Sequence, residues 1–117
     1  MAGGQDNQNS LSNRSCGACR GDAEPLKGEA INAFTEQLSQ GWQVIEQHHL
    51  EKEFKFKNFK EALDFVNRVG DIAESQEHHP DIHLSWGKVK LAVFTHKISG
   101  LHENDFIFAA KVDELLE

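Results

Sequence analysis

Apolar residues fall along this chain in two alternating rhythms. Leu26, Ala30, Ile31, Phe34 and Leu38 recur at three- and four-residue intervals, the face of a short amphipathic helix that Gly41 is placed to end. From Trp42 to Val44, and again from Leu50 to Phe56, the spacing changes to the alternation of half-buried strands, joined through the polar Glu46 to His49 as an antiparallel pair. The helical rhythm returns at Phe59, Ala62, Phe65, Val66, Val69 and Ile72, with Asn58 as the N-cap and Pro80 forbidding continuation. Ile82–Trp86, a turn at Gly87-Lys88 and Val89–His96 predict a second hairpin, on whose last strand His96 faces away from Val93 and Thr95. After Ser99-Gly100, Phe106, Ala109, Ala110, Val112 and Leu116 mark a final helix. The order αββαββα predicts an α+β fold, a four-stranded antiparallel sheet with three helices packed on one face.

Residues 1–25 do not join this pattern. They are rich in Gly, Asn, Ser and Gln and nearly empty of large apolar residues, so they are expected to form a flexible tail ahead of one domain at 26–117. Cys16 and Cys19 have the C-x-x-C spacing of zinc knuckles and redox motifs, but a full site needs further ligands or a strand-to-helix setting. Inert tail cysteines are expected. With 117 residues there is room for one core, and 12 Lys+Arg against 19 Asp+Glu give a formal charge of −7, which disfavours direct nucleic-acid binding. No apolar run approaches the roughly 18 residues of a membrane span, and the acidic start lacks the features of a secretory or transit peptide, so a cytoplasmic protein that does not enter membranes is expected.

The chemistry concentrates in three histidines. His78 and His79 are followed at once by Pro80, which biases His79 toward an extended conformation where helix gives way to strand, and His96 follows Trp86. Imidazoles exchange protons near neutrality, their unperturbed pKa being about 6.5. An acidic residue, three positions, His-His-Pro, five positions, an aromatic, nine positions, His, eight positions and Asp are filled here by Glu74, His78, His79, Pro80, Trp86, His96 and Asp105. This pattern resembles the active-site signature of the pterin-4a-carbinolamine dehydratases, and the resemblance runs from about Leu26 to the C-terminus, including Gly41-Trp42 and Phe54 to Phe59.

The resemblance implies the same αββαββα fold and the dehydration of a 4a-hydroxytetrahydropterin to the quinonoid dihydropterin, as in tetrahydrobiopterin recycling, with no bound cofactor and no metal. It implies catalytic roles for His78, His79 and His96, with His78 and His96 as acid/base and His79 chiefly orienting the pterin. Pro80, Thr95, His96, Lys97 and Ile98 would line the pocket with the two adjacent histidines, and Trp42 is a candidate for stacking near the substrate. Glu74 and Asp105 would be carboxylates behind the imidazoles. The expected partners are the pterin, a second or further copies of the chain as homodimer or homotetramer, and linkage to an aromatic amino-acid hydroxylase. Two departures from the family pattern are Glu77, where Asn or Asp is expected, and His102, where Ser or Thr often caps the last helix; losing that cap would cost about 1 kcal/mol. Two other readings remain open: a three-histidine zinc site, and a protein-binding module acting as dimerisation cofactor or transcriptional coactivator, with the last helix as a surface for association. His48, His49, His83 and His102 are expected to be surface or structural residues.

Overall fold

The computed structural model describes residues 11–17 and 24–116. Three α-helices, α1 (Glu29–Thr35), α2 (Phe59–Gln76) and α3 (Glu103–Glu114), combine with strands β1 (Gln43–Ile45), β2 (His49–Lys55), β3 (Asp81–Ser85) and β4 (Lys88–Val93). The αββαββα order and the four-stranded antiparallel sheet agree with the periodicity. The sheet order is β1-β2-β4-β3, so the two hairpins are joined by pairing β2 with β4, with Leu50 opposite Val93 and Phe54 opposite Val89. Among the described residues no helix is long and apolar enough to cross a membrane.

Alternation places Leu50 and Phe54 of β2 and Val89, Leu91 and Val93 of β4 on one face, where all are buried beneath the helices. The opposite face carries Glu51, Glu53, Lys88 and Lys90, with Lys88 and Lys90 paired to Glu53 and Glu51 at 3.6 and 3.8 Å. Helix α2 contributes Ala62, Phe65, Val69 and Ala73 to the core, Phe65 lying 4.8 Å from Phe54 and 5.0 Å from Phe56 between ring centres. Its start is capped as expected, Asn58 Oδ1 accepting from the Glu61 amide at 2.9 Å. Helix α1 is shorter than its apolar stripe, closing in a turn after Thr35, whose hydroxyl donates to Ile31 O at 2.7 Å. Gly41 then takes a positive φ of 107° before Trp42, a conformation that suits glycine.

The last helix is buried well beyond its predicted stripe. Asn104 through Ala110, with Val112 and Asp113, are all buried, because α1, α2, β4 and a short turn at Leu11–Asn13 pack around it. Phe106 stacks on Phe34 at 5.2 Å, and full burial of such a side chain contributes roughly 1.5–3 kcal/mol. The surface for association expected on this helix is therefore largely spent within the subunit, with Leu116 beyond its end left exposed. Residues 11–17, placed by composition in a tail, lie against this helix, and Leu11 is buried because it fills the core beside it.

Lys52 sits between Leu50 and Phe54 on the inward face, a polar residue at a core position. Its Nζ lies 3.0 Å from Asp113 Oδ1 and 5.0 Å from the centre of the Phe54 ring. Asp113 also accepts from Trp42 Nε1 at 3.0 Å and from the Ser39 amide at 3.1 Å. Removing one partner of such a pair strands the other charge. Asp113→Ala is expected to lower stability by about 3 kcal/mol, read as a fall in the urea midpoint with unchanged m-value; a loss below a third of that would show that Lys52 escapes to water.

Candidate active site

The histidine pair is aimed by the way α2 ends. Glu77 adopts a left-handed conformation, φ 53° and ψ 41°, and the His78 amide turns back to Ala73 O at 3.1 Å. Asn and Asp tolerate this conformation better than Glu, which gives a physical reason for the residue expected there. Pro80 keeps the helix from resuming, and β3 begins at Asp81.

From this turn the His78 ring reaches the start of α3. Its Nε2 lies 2.6 Å from Asp105 Oδ1, and the ring centre is 5.9 Å from that of Phe108. Asp105 has no exposed surface. Its other oxygen, Oδ2, accepts from the Thr95 hydroxyl at 2.9 Å and from the His102 amide at 2.8 Å. As an acceptor, the carboxylate sets the proton of neutral His78 on Nε2 and leaves Nδ1 as the accepting nitrogen. His102 supplies the cap itself: its Nδ1 accepts from the Asn104 amide at 3.1 Å, completing a capping box with Asp105. The missing-cap penalty does not arise.

His79 is exposed and bonds through Nε2 to Glu74 Oε2 at 2.6 Å, one turn back on α2. His96 does not extend β4, which ends at Val93. It opens a 3-10 turn, His96–Ile98, closed by the bridge between Thr95 and Gly100. Gly100 is required there, since a Cβ would come within 2.7 Å of the Pro25 ring. The His96 ring is exposed and lies 4.3 Å from Phe94, centre to centre.

These elements enclose a cleft of about 380 Å³ lined by His78, His79, Thr95, His96 and Lys97, together with Cys16, Gly17, Gln76, Glu77 and Asn104. Five predicted site residues thus meet, with Asp105 behind His78 and Glu74 behind His79. Pro80 and Ile98 are neighbours in sequence but do not line the cleft. Trp42 lies elsewhere, in the core, bonded to Asp113 and edge-on to Phe54 at 6.1 Å. Among the described residues no three His, Cys, Asp or Glu side chains are arranged to hold a metal ion.

The cleft residues missed by sequence reasoning are Cys16, Gly17, Gln76 and Asn104. The Cys16 amide donates to Gln76 Oε1 at 2.9 Å, and burial, opposed by nearby Lys111 and reinforced by Asp105, pushes its thiol up to about 11. The C-x-x-C spacing singled out Cys16 without indicating a contact; Cys19 lies outside the described residues.

Comparison with known proteins places these features in a family. The profile of the family described as pterin 4 alpha carbinolamine dehydratase matches residues 24–115. A protein of Rubrobacter xylanophilus, provisionally named a pterin-4-alpha-carbinolamine dehydratase, is 56% identical over 105 residues, 90% of this chain and 97% of that one. One of Alkaliphilus metalliredigens with the same provisional name is 55% identical, covering 91% of this chain and 96% of its own. A solved structure from Brucella melitensis, described as a transcriptional coactivator/pterin dehydratase, matches with a TM-score of 0.75 at 27% identity, covering 80% of this chain and 100% of that one.

Two outcomes test this geometry. Glu77→Asn relieves the left-handed turn and is expected to raise stability by about 0.5–1 kcal/mol in urea unfolding; a loss would mean that the Glu77 side chain holds the turn. The raised thiol pKa means that protonated Cys16 favours the folded chain, a contribution full below about pH 9 and lost as pH rises through about 11. In a Cys19→Ser background, iodoacetamide should therefore modify Cys16 slowly at pH 8 and steeply faster toward pH 11, whereas a plateau by pH 9 would contradict a buried thiol.

Proposed function

The chain belongs to the pterin 4 alpha carbinolamine dehydratase family, and from that membership and the geometry of its cleft we propose that it removes water from a 4a-hydroxytetrahydropterin. The observation that carries the reading is His78, held by buried Asp105 in a cleft that also gathers His79 and His96. In the substrate the C4a–O bond breaks as the N5 electron pair forms the C4a=N5 bond. The oxygen leaves as water once protonated, and N5 gives up its proton, so the elimination is redox-neutral and needs two proton transfers.

His78 suits the base. With Nε2–H donated to Asp105, Nδ1 is the lone-pair nitrogen that takes the N5 proton, and the carboxylate stabilises the imidazolium that forms. His96, exposed at the rim, is the acid that protonates the departing oxygen, and His79, tethered to Glu74, orients the pterin. The same reading places the reaction in tetrahydrobiopterin recycling in the cytoplasm, by a homo-oligomer. Exposed Phe59, Leu63 and Trp86 support self-association by offering apolar surface that the subunit leaves uncovered.

Stopped-flow absorbance of 4a-hydroxytetrahydropterin breakdown tests the assignment. The wild type should accelerate the reaction, and His78→Ala and His96→Ala should each lose about 10²–10⁴ in rate, with His79→Ala acting mainly on KM. A folded double variant lacking both His78 and His96 that kept its rate would defeat the assignment.

A further inference from the structure

Residues 11–17 precede the stretch matched by the family profile, yet they are fixed along α3 at both ends. Leu11 is buried in the core, and Lys111 Nζ donates to Ser12 O at 2.9 Å. The Ser12 hydroxyl meets Glu114 at 2.5 Å, and Arg14 pairs with Glu103. At the other end the Asn104 side chain forms a reciprocal pair with one glycine: Oδ1 accepts from Gly17 N at 3.0 Å, and Nδ2 donates to Gly17 O at 2.6 Å. Asn104 is only 4% exposed, and both backbone groups of Gly17 are satisfied by its amide. A primary amide, carrying donor and acceptor on one planar group, is the side chain suited to this exchange.

We propose that Leu11–Gly17 forms one wall of the substrate cleft and that Asn104 is the positioning residue that holds it there, giving the segment a part in pterin binding. The inference rests on the dehydratase reading. Cys16 and Gly17 line the cleft together with Glu77, His79, His96 and Lys97. The thiol remains protonated through neutral pH, so this wall presents a thiol and a backbone without charge, suited to the uncharged ring or side chain of a pterin. Because the alignment with the Rubrobacter xylanophilus protein spans 105 of the 117 residues, it begins no later than residue 13, so that relative has chain aligned with residues 13–17.

The test uses the full chain with Asn104→Ala, which removes both bonds to Gly17, and Leu11→Asp, which releases the segment at its distant end. Faster tryptic cleavage after Arg14, with unchanged circular dichroism, identifies a folded protein whose segment is free. In such variants KM for the 4a-hydroxytetrahydropterin and Kd for oxidised biopterin, read by fluorescence quenching, should rise about tenfold while kcat stays within about twofold. Bound biopterin should also slow cleavage after Arg14 in the wild type. Wild-type catalysis with KM and Kd unchanged in a released variant overturns the wall while sparing the dehydratase. A wild type that neither reacts nor binds overturns both. Should Leu11→Asp fail to fold, Asn104→Ala alone decides the outcome.

Discussion

The carboxylate of Asp105, wholly removed from solvent, must have its lone pairs met by the protein, because an ionised group without partners in the interior is prohibitively costly. Its donors come from three separate places: His78 where α2 ends, Thr95 beyond β4, and the His102 amide at the head of α3. Each bond ties down a backbone segment that local structure alone would leave loose. The positive end of α3 adds favourable interaction with the carboxylate. Folding of the C-terminal half and assembly of the cleft are in this sense one event, since the bonds that satisfy the buried acid also orient the imidazole.

Helix α3 carries a second buried acid at its far end, and the contrast bears on the proposed role of the first. Asp113 opposes the helix dipole and is offset by Lys52, Trp42 and the Ser39 amide. Its partners are an ammonium, an indole N–H and a backbone amide, and none of them is an imidazole. Asp105 instead faces a histidine that reaches a cleft. Two similar carboxylates are thus separated in role by the chemistry of their donors, and Asp113 is the anchor for a core lysine.

Periodicity was enough for element order, because helices and strands that cover one core must repeat their apolar residues at 3.6 and 2.0 intervals. It misplaced His96, whose position in a clean alternation read as strand although the ladder stops at Val93, where the chain turns into the bridge between Thr95 and Gly100. Trp42, put forward as a stacking candidate near the substrate, lies instead in the core, where its indole bonds to Asp113. The docking of residues 11–17 had no periodic signal. It depends on a single buried leucine and on side-chain bonds to Gln76, Asn104 and Lys111 from remote parts of the chain, which composition cannot register.

Under the proposed dehydration, the unequal environments of the histidines match what each assigned transfer requires. A base that must present one particular nitrogen gains from a partner that fixes its tautomer, and His78 has that partner together with a largely enclosed ring. An acid that must be reprotonated each turnover gains from solvent, and His96 is exposed, resting against Phe94 at the rim. Burying both would slow proton return, and exposing both would forfeit orientation. The fold meets both requirements by closing α2 with a left-handed residue, which turns His78 inward, and by ending β4 early, which turns His96 out.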